Sequence, residues 1–193
     1  QEIARICELN LVSLEAEVFG LLKSLISKEE TKVVGLMDIG AQSTTYSIID
    51  KGVLKISHSF DLAGNELTEQ IAKSLSVDYT VAENLKRKYG LLPSSQNIKE
   101  IILPLMDSIL REIERISRNF FQSENKEVDK FIIAGGTALI PGIKEYFQTH
   151  FGKETEIANP FLNIYCPPIL EKRLKEMGPS YAIAVGLALR GLE

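Results

Sequence analysis

The chain has 193 residues, 45% of them hydrophobic and 25% charged, enough to bury the core of one domain and too apolar for a disordered segment. Its 22 Lys and Arg stand against 26 Asp and Glu, a formal net charge of −4. That balance argues against a nucleic-acid binder working through a broad basic face.

Residues 1–9 carry a short helical pattern, with Ile3, Ile6 and Cys7 spaced i, i+3, i+4. Residues 11–14 read as a short strand, and Glu15 to Leu25 as a helix whose apolar stripe is Val18, Phe19, Leu21, Leu22 and Leu25. The polar patch at 27–32 then reads as a loop and a boundary. From Val33 the period changes. Val33 to Met37 is a buried-type strand, Thr44 to Asp50 is rich in β-branched residues, and Val53 to Phe60 follows the tight turn Asp50-Lys51-Gly52. Three strands on short connections make an antiparallel meander.

Helices follow. Gly64-Asn65-Glu66 leads into a helix through Leu75, and Asp78 is placed to cap a second that ends before Gly90. A long helix is predicted from about Ile98 to Phe121, with Ile102, Leu105, Ile109, Ile113, Ile116 and Phe120 on its buried face and Pro104 near its start. The remainder reads as strand 128–134, helix 138–150, strand 154–158 and a terminal helix from Pro179. The order implies an α/β fold, a mixed sheet flanked by helices.

Three segments could contact a ligand. Asp38-Ile39-Gly40-Ala41-Gln42-Ser43-Thr44 is a tight hairpin; Asp38 could hold a hydrated Mg²⁺, and Gly40, Ser43 and Thr44 could face phosphate oxygens. Gly135-Gly136-Thr137 stands where a strand meets a helix, so a ligand could lie directly on the backbone. Glu83, Lys86 and Arg87 share a helix face that could meet a ribose or a base. Each segment alone also fits a plain structural role: a turn, a sharp strand exit with Thr137 as cap, a solvated charged face. His58 and His150 have no partner at a ligand spacing, and no Gly-x-Ser-x-Gly elbow or Walker-type loop occurs. No catalytic residue is assigned. The longest apolar stretch, Tyr181 to Leu189 counting Gly186, is far short of the ~18 residues a membrane span needs. Two distant cysteines, Cys7 and Cys166, fit a reducing compartment. With no initial Met and no signal-peptide pattern, the chain is expected to be part of something longer.

The three segments in this order resemble those of the actin, heat-shock chaperone and sugar-kinase ATPases. There an Asp-x-Gly hairpin is a phosphate loop, a Gly-Gly loop receives adenosine, and a terminal helix of small residues, like Pro179 to Leu189 here, connects two lobes. Met37 to Ala41 with Thr44, Asp61-Leu62-Ala63-Gly64-Asn65-Glu66-Leu67-Thr68, Ala82 to Lys86, Ile132 to Thr137 and Ile157-Ala158-Asn159-Pro160-Phe161 together resemble the PilM family of type IV pilus assembly. The similarity to the division protein FtsA is weaker.

The resemblance implies an actin-like, ribonuclease H-like ATPase lobe. Residues 1–31 would be the end of a first lobe, 32–178 the second, and 179–193 a connecting helix. It implies ATP with Mg²⁺ as cofactor in the parent protein, held by Asp38, Gly40, Ser43, Thr44, Glu83, Lys86, Arg87, Gly135, Gly136 and Thr137. The implied function is a cytoplasmic scaffold of pilus assembly, peripheral to the inner membrane, with at most weak ATPase activity. The implied partner is a PilN-like inner-membrane protein, bound through its N-terminal peptide in a groove mostly outside this chain; self-association stays open. An FtsA-like division protein, a metabolite kinase, or an interaction module without ATP turnover are the alternatives. With the first phosphate hairpin of the family expected upstream of Gln1, the isolated chain is expected to bind nucleotide weakly.

Overall fold

A computed structural model describes residues 2–162 and 164–191, with the backbone only of residues 95 and 96. Strands β1 (Val33–Ile39), β2 (Thr44–Asp50), β3 (Val53–Phe60), β4 (Lys130–Ala134) and β5 (Glu154–Ile157) form one sheet in the order β3-β2-β1-β4-β5. The meander β1-β2-β3 is antiparallel, whereas β4 runs parallel to both β1 and β5. Lys51 and Gly52, with φ of 51° and 76°, make the β2–β3 turn. Two consecutive positive φ values match the twist of the flanking strands.

Period-two alternation on β1 divides the molecule into two layers. Val33, Met37 and Ile39 face one side, with Tyr46 and Ile48 of β2 and Phe131 and Ile133 of β4. Against them pack helices α3 (Gly64–Leu75), α5 (Gln96–Glu124) and α6 (Ile143–Phe151). The stripe Ile102, Met106, Ile109, Ile113, Ile116 and Phe120 of α5 is buried there, each such side chain contributing roughly 1.5–3 kcal/mol. Pro104 sits on the exposed side of α5, where Ser108 Oγ donates to its carbonyl at 2.9 Å. Helix α4 (Tyr79–Tyr89) lies beside α3 and ends on Gly90, at a φ of 50°.

The other face carries Val34, Leu36, Ile49, Ile132 and Ala134 against α2 (Glu17–Leu25) and α7 (Glu171–Arg190). These two helices meet at glycines. A Cβ added to Gly186 would overlap the backbone of Gly20, and one added to Gly20 would lie 2.9 Å from the carbonyl oxygen of Ile183.

Asp78 stands at the start of α4 without a side-chain capping hydrogen bond, and on α5 Met106 is buried where Leu105 was expected, Leu105 being half-buried. Larger departures from the local expectations occur elsewhere. Residues 11–14 form no strand: Leu11, Val12 and Leu14 are exposed, and no strand lies beside them to pair with. The helix expected over 138–150 splits into a 3-10 turn, Gly136–Leu139, and α6, because Pro141 and Gly142 (φ 82°) break it. The terminal helix begins at Glu171 and carries Pro179 inside it. The Pro179 carbonyl turns to accept the N–H of Gly135 at 2.9 Å, which ties α7 to the end of β4. The short helix α1 (Glu2–Ile6) buries no residue.

Candidate functional site

The parallel strands β1 and β4 end side by side, with Asp38 opposite Ala134. On one side of this point the chain returns through the hairpin to β2; on the other it continues through the 3-10 turn to β5. A crevice at the carboxyl ends of such diverging strands is where open α/β sheets bind ligands. Here it is a cleft of about 480 Å³.

Backbone hydrogen bonds lock its walls together. The carbonyl of Gly40 accepts the N–H of Gly64 at 3.0 Å and the hydroxyl of Thr137 at 3.1 Å. The Ala41 carbonyl accepts the N–H of Asn65 at 2.8 Å. The first donors of α3 are thus satisfied by the hairpin, and Glu66 takes the N–H of Ala63. Three segments distant in sequence meet at Gly64, where a Cβ would fall 2.7 Å from Thr137 Oγ1 and 3.1 Å from the Gly40 oxygen.

Of the ten residues singled out from sequence, Gly40, Glu83, Lys86, Arg87, Gly136 and Thr137 line this cleft. Gly135 stands behind it at a φ of 85°, where a Cβ would come within 2.6 Å of Asp38 Oδ1. That contact brings the first and second segments into direct apposition. Gly136 is the open glycine: the nearest atom to an added Cβ is Ser180 Oγ, 3.8 Å away. Ser43 is exposed and uses its carbonyl to close the hairpin on the Gly40 N–H. Thr44 is buried, its hydroxyl donating to the Leu62 carbonyl at 2.6 Å, and neither Ser43 nor Thr44 lines the cleft.

The α4 face is a buried ionic knot. Lys86 Nζ donates to the Gly64 carbonyl at 2.8 Å and to Thr68 Oγ1 at 2.7 Å, and pairs with Glu83 Oε2 at 2.7 Å. Three donors meet three acceptors, so the ammonium is spent inside the protein. Thr68 donates to Glu83 Oε2 at 2.6 Å, and Arg87 Nε reaches Glu83 Oε1 at 2.7 Å. Burial pushes the Glu83 carboxyl up, but the hydrogen bonds from Lys86, Thr68 and Arg87 outweigh it and hold the pKa at about 2. Glu83 is therefore a fixed negative charge at neutral pH, and Arg87, with 76% of its side chain exposed, is the exposed cation of the face.

Asp38 points to the α2–α7 side of the sheet. Burial, and secondarily the Glu17 carboxylate, push its pKa up to about 6. Neither acid has an ion-pair partner among the described residues. Neither Asp38 nor Glu17 lines the cleft, and among the described residues no group of three or more His, Cys, Asp or Glu is placed to hold a metal ion. A single carboxylate such as Asp38 fits a divalent cation only through its hydration shell.

Several residues of the site were not singled out from sequence. Thr68 is the hub of the ionic knot, and Asn65, Tyr79, Leu139, Ile140 and Ser180 complete the lining. Tyr79 donates its hydroxyl to Asn65 Oδ1 at 2.9 Å. Gly64-Asn65 stood out as a helix start, a local signal that could have marked the cleft wall.

Sheet order, strand directions and crevice together define an actin-like fold. The structure superposes on that of a PilM–PilN type IV pilus biogenesis complex with a TM-score of 0.87 and 29% identity, covering 100% of this chain and 56% of that one. It superposes on MreB 5 of Spiroplasma citri bound to AMPPNP with a TM-score of 0.72 and 19% identity, over 97% of this chain and 61% of that one. The family model for type IV pilus assembly protein PilM matches residues 4–192, and the chain belongs to that family. Among curated proteins it is 23% identical over 175 residues to cell division protein FtsA of Staphylococcus epidermidis, covering 80% of this chain and 38% of that protein. It is 27% identical over 170 residues to FtsA of Buchnera aphidicola subsp. Baizongia pistaciae, covering 88% of this chain and 34% of that one. The chain thus spans little more than a third of these relatives. Among the described residues no helix is long and apolar enough to cross a membrane.

Proposed function

We propose that the cleft binds ATP with Mg²⁺ and that the protein is a nucleotide-responsive scaffold on the cytoplasmic side of type IV pilus assembly. The observation that carries this reading is the convergence of three chain segments, at Gly40, Gly64 and Gly136-Thr137, on one cleft that all three line. Glycine backbone beside a fixed cation–anion pair suits a phosphorylated nucleoside. Gly136 and Leu139 would hold the nucleoside, Glu83 and Arg87 its ribose or base, and the Gly40-Ala41 turn its phosphates. Lys86 acts behind Glu83 as a positioning residue. Asp38 would hold the metal through its bound water. When bound, Mg²⁺ would neutralise phosphate charge.

Binding is favoured over turnover by the state of Glu83, the one carboxylate among the residues lining the cleft. Both of its oxygens are occupied, so it is a poor proton acceptor. At most weak ATPase activity follows. In this reading residues 1–31 close a first lobe, 32–178 form a second and 179–193 connect them, so bound nucleotide sets lobe geometry. The similarity to the PilM–PilN complex supports a PilN-like inner-membrane partner, engaged through that partner's N-terminal peptide, with localisation peripheral to the membrane.

The test is a titration of the protein with a fluorescent ATP analogue and Mg²⁺, wild type against Gly136→Val. A Cβ at this position points into open cleft space, its nearest neighbour Ser180 Oγ at 3.8 Å, so the backbone there accepts a side chain. At least a tenfold loss of affinity is expected; equal affinity in a folded variant removes the adenosine site from this cleft.

A further inference from the structure

A second pocket, of about 310 Å³, opens at the amino end of β4 and shares no lining residue with the cleft. Its apolar lining is Phe121, Val128, Phe131 and Phe151: the Phe131 and Phe151 rings stand 4.5 Å apart, Phe131 and Val128 are nearly covered at 2% and 5% exposure, and Phe121 of α5 is 45% exposed. A volume of this size lies at the lower end of small-ligand sites.

Two polar groups set what the pocket would hold. Tyr46 is fully buried, and its hydroxyl meets only Ser117 Oγ, at 2.8 Å. If Ser117 were the donor, the Tyr46 hydrogen would be left unpaired in the core, at a cost of about 1–3 kcal/mol. Tyr46 therefore donates, and the hydrogen of Ser117, which has no acceptor among the described residues, is free for the pocket. Arg118, which also lines the pocket, has no hydrogen-bond or ion-pair partner among the described residues. The two acids at the mouth are engaged elsewhere: Glu127 with Lys153 at 3.1 Å and Glu114 with His150 at 2.8 Å.

We propose that this pocket binds a small amphiphilic carboxylate, its aromatic or aliphatic body on Phe131, Phe151 and Val128 and its anionic head between Ser117 and Arg118. An aromatic lining recognises a flat apolar body, and a hydroxyl donor with a free guanidinium recognises a carboxylate. The site is independent of the nucleotide cleft.

The probe is 4-phenylbutyrate, with 4-phenylbutanol as its uncharged counterpart, titrated into isotope-labelled 193-residue chain and followed by amide NMR. Saturable binding of the carboxylate with a Kd near or below about 1 mM is expected, with shifts centred on Ser117, Phe131 and Phe151 and with the alcohol at least tenfold weaker. Arg118→Gln should bring the two ligands to within twofold of each other, and Phe121→Ala should weaken both. These two side chains are exposed, so both variants keep the fold. Equal affinity for acid and alcohol in the wild type, shifts centred on the Gly136 cleft, or no saturation in the folded chain overturns the proposal. So does binding of an acidic aromatic peptide without binding of phenylbutyrate, which would make the groove a protein-docking surface.

Discussion

At the scale of single residues, the site is organised by charges held off their ordinary values. Glu83 is the clearest. In the folded protein its pKa is held at about 2, below its ordinary value of 4.5. A depressed carboxyl pKa adds stability that is full above pH about 4.5 and is lost as pH falls toward 2. The shift corresponds to no more than about 3 kcal/mol, and to less after solvent screening, because 24% of the side chain is exposed. Glu83→Gln should therefore lower the unfolding free energy at pH 7 by about 1–3 kcal/mol. The gap to wild type should close between pH 4.5 and 2. Urea denaturation across that range checks it; a gap independent of pH would mean that the Lys86–Glu83–Arg87 knot does not act through ionised Glu83. Sequence spacing showed that Glu83 and Arg87 are neighbours on α4. It could not show Lys86 turning inward to Gly64 and Thr68, since those acceptors come from another helix.

Secondary-structure elements were legible where the signal was local. The meander followed from alternation and from the Lys51-Gly52 turn, and α5 from its apolar stripe. What misled were segments whose fate depends on distant neighbours. Residues 11–14 have strand composition but no strand to pair with. Pro179 looks like a helix start, yet α7 passes through it, and the Pro179 carbonyl accepts the Gly135 N–H from the end of β4. The small residues of α7 were legible as a close-packing face, and the structure gives that face a partner in Gly20. Gly186→Ala should therefore be far more damaging than an alanine in a helix ordinarily is, since helix propensity alone favours Ala by about 1 kcal/mol. Its Cβ would overlap the Gly20 backbone, so α2 and α7 must separate. A net loss of about 1–3 kcal/mol is expected from the forced overpacking, against a gain for Ala at an open helix position. Thermal unfolding of the variant measures the sign, and a stabilised Gly186→Ala would show that the two helices do not meet this closely.

At the scale of the whole molecule, the described residues form two pockets at opposite ends of β4. The cleft lies where β4 and β1 deliver their carboxyl ends, and the aromatic pocket lies at the amino end of β4, under α5. The cleft walls are backbone segments cross-linked through Gly40, so a ligand that orders one wall must order the others. Hydrogen exchange tests this coupling. With ATP and Mg²⁺ present, amides in segments 38–44, 64–66 and 136–140 should slow together by at least severalfold, while residues 117–121 and 151–153 remain unchanged. Gly136→Val should abolish all of these protections at once, including those of the hairpin it does not touch. Protection confined to 136–140 would mean that the nucleoside turn acts alone and that the phosphate hairpin is only a structural turn. Joint protection would show that separate loops act as one receptor because the sheet brings their ends together.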